Sequence, residues 1–168
     1  MTGVVGFGPL GPAGGFDPVR RVLTFTTLPL ETDLEIAGPI KLVLYASSTG
    51  NDTDFIVKLA EQYPQSSEDR AKGLNPGSLL VTKGWLRASH RTLDPERSTE
   101  MEPYHTHTNP EPIKPGEVYT FEISIEPNAY RFKQGSRIRL EIVNGDSPVT
   151  DVLWTHYYAP NKIGQDTI

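Results

Sequence analysis

"FKQGSRIRLEIV", Phe132 to Val143, is the stretch whose reading decides the fold. Its Gly-Ser pair beside two arginines and a glutamate has the ingredients of a catalytic serine on a tight turn. A nucleophilic serine, however, needs a base within hydrogen-bond reach and a third group to orient that base, and nothing in this spacing supplies either. The alternation answers better. Ile138, Leu140 and Ile142 fall on one face and Arg137, Arg139 and Glu141 on the other, the period of two of a strand with one buried side. Gly135 and Ser136 then form the turn that admits the chain to the strand.

The same period recurs outward from this segment. In "IKLVLYAS" Ile40, Leu42, Leu44 and Ala46 share a face, and in "TDFIVKLAEQY" Phe55, Val57 and Leu59 do, with Asp54, Lys58 and Gln62 opposite. "SLLVTKGWLRASHR" predicts a longer strand, bent or bulged at Gly84. "EVYTFEISIEP" places Tyr119, Phe121, Ile123 and Ile125 together and is expected to stop at Pro127. "VLTFTTL" adds a strand near residue 22. No segment keeps helical spacing over three turns. Some six strands joined by Pro- and Gly-rich turns predict an all-β antiparallel sandwich, because each of two sheets can bury one face against the other.

Residues 1–18, rich in glycine and proline, read as an arm or linker ahead of a single domain over 19–168. The arm contains Gly6-Phe7-Gly8-Pro9-Leu10-Gly11, which fits G-x-G-x-x-G by letter. A dinucleotide site also needs a preceding strand and a following helix, and only more glycine and proline follow. Thr92 to Gly116 carries five prolines without periodicity, which suggests a functional or interface-packed excursion.

A chain of 168 residues with 16 basic and 21 acidic side chains has a net charge of −5 and no basic cluster, which excludes an unassisted nucleic-acid binder. The absence of cysteine removes disulfides, thiolate metal sites and a thiol nucleophile. No apolar run reaches membrane-spanning length and no signal peptide is visible in this chain. The cytoplasm is therefore the default expectation, and no residue fixes it.

Candidate chemistry is sparse. Gly145-Asp146-Ser147 follows an apolar strand, with Asp151 and His156 near, but Val149 stands where the elbow G-x-S-x-G needs glycine, so a polar turn is the expectation. His105 and His107 share a face of an extended segment and, with Glu102 or Glu111, have the donors for a zinc or calcium ion. No distant third ligand is indicated, so loop packing or an interface is the reading adopted, with no metal and no cofactor. Asp52 and Asp54 could hold calcium but lack the helix-loop-helix continuation, and capping of a turn is expected. Trp85, Trp154 and Tyr157-Tyr158 are the candidates for stacking on a ligand or a partner domain.

Together, "GPIKLVLYASSTGNDTDFIVKL", "GWLRASHRTLDPERS", "PYHTHTNPEPIKPGEVY" and "PNAYRFKQGSRIRLEI" resemble the C-terminal β-sandwich domain of the Xaa-Pro dipeptidyl-peptidase and cocaine-esterase-like serine hydrolases, which include acyl esterases, glutaryl acylases and α-amino-acid ester hydrolases. The resemblance runs from about Arg21 to Ile168. It implies a jelly-roll sandwich, similar to galactose-binding modules, that packs on an α/β-hydrolase domain carrying the whole Ser-Asp-His triad. None of the triad positions has a counterpart here, so no catalytic residue is expected in this chain. The implied partner is the hydrolase domain, whose active-site cleft the sandwich helps to shape, with homo-oligomerisation as a further expectation.

Two departures stand out: Ser136 replaces a frequent histidine, and the chain stops at "GQDTI" where relatives usually continue into a last strand. The second makes an exposed sheet edge an expectation. Read from the residues themselves, the candidate interface or ligand contacts are Asp52, Asp54, Trp85, His105, His107 and Trp154. A free-standing carbohydrate- or ligand-binding module is the alternative, and an autonomous esterase at Ser147 and His156 a third reading.

Overall fold

Phe55 and Phe121 meet in a tilted contact with ring centroids 4.9 Å apart, although their strands are not neighbours in the sheet. The computed structural model describes residues 22–144 and 164–168. The Gly/Pro-rich arm, the Gly145-Asp146-Ser147 turn, Asp151, Trp154, His156 and Tyr157-Tyr158 lie outside the described residues.

Among the described residues, seven antiparallel strands occur in the order β1-β6-β3-β4-β5-β2-β7: β1 Leu23–Thr26, β2 Leu34–Ser48, β3 Asp54–Gln62, β4 Ser78–Arg87, β5 Tyr119–Phe132, β6 Arg137–Val143 and β7 Asp166–Thr167. The sheet is curled, and side chains from both of its halves meet in one core, as in a β-sandwich. That core unites Leu44 and Ala46 of β2, Phe55 and Val57 of β3, Leu86 of β4, Phe121, Ile123 and Ile125 of β5 and Ile142 of β6. These are largely the positions that the alternation assigns inward.

The β4–β5 junction is narrow. β4 and β5 pair only at Gly84 and Ile125. A Cβ on Gly84 would sit 2.3 Å from the Ser124 carbonyl oxygen and 2.9 Å from the Ile125 Cα. Glycine is therefore there for close approach between backbones, and the expected bulge falls elsewhere. Leu59 pairs with Thr82 and Ala60 with Leu80, leaving Val81 as the extra residue.

The expected stop at Pro127 is also corrected. β5 continues to Phe132, because Glu126 and Pro127 together oppose Pro39 of β2 in a bulge. A proline in a bulge removes no needed ladder donor, so the strand survives it.

β3 departs from its predicted exposed face. Asp54, Ile56 and Lys58 are buried like Phe55 and Val57, since β3 runs between β4 and β6. Ile56 lies between Trp85 and Val143, and Lys58 between Lys83 and Glu141. Helix is confined, among the described residues, to α1 (Ser67–Ala71), capped by Ser66 accepting from the Asp69 N–H, and a 3-10 turn, Ala88–His90.

The charged face of β6 settles the opening motif. Arg139 pairs with Glu141 at 2.6 Å and donates to Gln62 Oε1 at 3.1 Å; Glu122 is instead bonded to Lys41 at 2.8 Å. Ser136 is buried, and Gly135, at φ 82°, makes the turn ahead of it.

Candidate functional site

Past Gly84 towards the β4 C-terminus, Trp85 and Arg87 project from the strand and His90 closes the 3-10 turn. The Thr92–Gly116 excursion then packs back on the sheet. It folds as a small hairpin, with a Leu93–His105 bridge flanked by hydrogen bonds from the Asp94 N–H to the Tyr104 carbonyl (2.8 Å) and from the Thr106 N–H to the Thr92 carbonyl (3.1 Å). Ile113 enters the core, and its N–H donates to the Asn51 carbonyl at 2.9 Å. The Arg91 guanidinium lies 4.7 Å over the Tyr119 ring of β5.

This folding gathers three of the protein's four histidines. The His107 ring lies between the other two, 5.6 Å from His90 and 5.9 Å from His105. Two buried ring nitrogens, His90 Nδ1 and His105 Nε2, have no hydrogen-bond partner. Burial pushes the His105 imidazole below its usual 6.5, helped by His107 and His90 and opposed by Glu122. Beside the row is a cleft of about 320 Å³ lined by Asp54, Ile56, Trp85, Arg87, His90 and His107.

The structure sorts the expected contact residues. Asp52 is buried and saturated, accepting from the Ser89 N–H (2.9 Å), the Ser89 hydroxyl (2.9 Å) and the Thr53 N–H (3.0 Å). Asp54 accepts from Arg87 Nε at 2.9 Å, an interaction that raises the arginine pKa. Trp85 is 41% exposed, with the Lys83 ammonium 5.2 Å over its ring. His105 is buried and His107 exposed; Trp154 lies outside the described residues. Among the described residues no three His, Asp or Glu side chains are arranged to hold a metal ion. Sequence reasoning missed His90 and Arg87, because a lone histidine after a strand and an arginine within one carry no periodic signal.

The other end of the junction is built differently. Glu61 is 3% exposed and accepts from the Tyr130 hydroxyl at 2.5 Å and the Lys133 N–H at 2.8 Å, with Ser136 also bonded to it. Desolvation alone would raise its pKa, but these hydrogen bonds and the Lys133 charge together hold it below 4.5. Thr82 Oγ1 donates to the Glu126 carbonyl (2.8 Å) and Asn128 Nδ2 to the Val81 carbonyl (2.7 Å), tying β4 to β5 here.

A curled antiparallel sandwich whose buried polar groups serve mainly to join its strands is a scaffold module in architecture. The chain belongs to the X-Pro dipeptidyl-peptidase C-terminal non-catalytic domain family, which matches residues 19–160. It is 31% identical over 131 residues to a "Putative serine esterase" of Mycobacterium tuberculosis and 25% identical over 130 residues to the cocaine esterase of a Rhodococcus species. These matches cover 76% and 77% of this chain and 19% of each relative, so the chain spans about a fifth of the length of those proteins. Among solved structures, an α-amino acid ester hydrolase superposes with TM-score 0.57 at 26% identity, over 83% of this chain and 20% of the other. A CocE/NonD family hydrolase from Staphylococcus aureus shares the fold at TM-score 0.63 and 24% identity, over 75% of this chain and 23% of the other. Among the described residues no helix is long and apolar enough to cross a membrane.

Proposed function

We propose that this chain is the accessory sandwich of a serine hydrolase of the acyl-esterase or Xaa-Pro dipeptidyl-peptidase type, packing on an α/β-hydrolase domain and shaping its active-site cleft. The observation that carries the reading is membership of a non-catalytic domain family, by a chain that spans a fifth of its relatives. The face offered to the partner is the histidine end. There an exposed tryptophan, an arginine and the exposed His107 border a cleft, the mixture of aromatic anchor and polar side chains that interfaces use. The exposed Trp85 also favours a second reading, a free ligand-binding module.

Turnover of nitrophenyl esters and Xaa-Pro anilides tests the first reading. The isolated chain should give none, and the chain joined to its upstream α/β-hydrolase domain should hydrolyse one class. Turnover by the isolated chain that vanished in Ser147→Ala would overturn it. A saturable change in tryptophan fluorescence with a simple sugar would favour the second.

A further inference from the structure

His105 occupies a position where a proton would be poorly tolerated. Its Nε2 is buried without an acceptor, and it stands in a row with two other imidazoles. The charged and titratable groups facing it are His107 from its own hairpin, His90 from the 3-10 turn and Glu122 from β5. Glu122 acts through a backbone hydrogen bond to His105 and through its carboxylate, which is already bonded to Lys41 of β2 at 2.8 Å, and burial outweighs both. A proton on His105 would thus sit on a buried ring 5.9 Å from the His107 imidazole, with an N–H that nothing accepts.

We propose that the His90–His107–His105 row is an acid-released latch, keeping the Thr92–His107 hairpin closed beside β5 while His105 is neutral and letting it open when His105 takes up a proton. The sheet and core are not part of the moving element, because the ladders do not pass through the row and Ile113, which enters the core, lies beyond the hairpin. The lowered affinity of His105 for its proton fixes the direction: the stability it contributes is present above 6.5 and is lost as pH falls through its lower folded value. The latch concerns this chain alone, so it stands or fails independently of whether the same face meets a hydrolase domain.

Amide hydrogen exchange on the whole chain, corrected for intrinsic rates, tests it. Between about pH 7.5 and about pH 5, protection of the Asp94 and Thr106 amides should fall about tenfold or more while that of Val57 in β3 holds. His105→Gln, which cannot titrate, should abolish that fall. If that variant does not fold, His107→Asn serves instead: removing one like charge from an exposed position should make the fall smaller. Undiminished hairpin protection at the lower pH, a fall shared equally with Val57, or a fall unchanged in the variant that folds would each overturn the latch.

Discussion

The two ends of the β4–β5 junction bury polar groups in opposite ways. At one end Glu61 is met by Tyr130, Lys133 and Ser136, and side chains of Thr82 and Asn128 cross between the strands. At the other, a hairpin is inserted beside β5, and two histidine nitrogens are left without partners next to an open cleft. A saturated buried polar group fixes one arrangement, whereas an unsatisfied one has capacity for a proton or a partner. The difference makes the Glu61 end structural and leaves the histidine end as the face of the proposed contact.

The largest effect should come from the hinge that both ends share. Gly84→Ala forces a methyl against the β5 backbone, and urea unfolding should show a loss of about 3 kcal/mol, because backbone cannot step aside as a side chain can. Glu61→Ala should follow at about 2 kcal/mol, leaving the buried Ser136 hydroxyl and the partly buried donors of Tyr130 and Lys133 without their acceptor. Tyr130→Phe removes one hydrogen bond from the same group and should cost about 1 kcal/mol. His107→Ala at neutral pH should change stability by less than about 0.5 kcal/mol, since its ring is exposed. If His107→Ala proved as costly as Glu61→Ala, the contrast between the ends would break.

The pH dependence of unfolding sharpens the same contrast. Glu61, held below 4.5, contributes stability that is present above 4.5 and lost as pH falls through its lower folded value. Tyr130, pushed up to about 12 by its bond to Glu61, by burial and by the Glu61 charge, contributes stability that is full below 10.0 and lost as pH rises through about 12. Glu61→Gln should therefore flatten the stability profile below about pH 4.5, as followed by denaturant titrations across the acid range.

Much of the fold was legible because strand alternation is local: Leu44, Phe55, Phe121 and Ile142 all point where their period places them. What escaped is what depends on pairing. Pro127 marks a strand end only if nothing opposite absorbs it, and Pro39 across the ladder supplies a bulge that sequence order does not show. Gly84 was singled out for the wrong reason, since the closeness of Ser124 depends on how the sheet curls. The histidine row was half visible, as His105 and His107 are two apart, while His90 joins them only through the return of the hairpin. Glu61 gave no signal, because its partners lie some seventy residues on.

The most direct test of the central claim compares amide exchange in this chain alone and joined to the proposed α/β-hydrolase partner domain. Protection gained across Trp85–His107, with the Glu61 end unchanged, is the result the account predicts. Protection gained instead at Glu61, Tyr130 and Ser136, or at neither end, would contradict it.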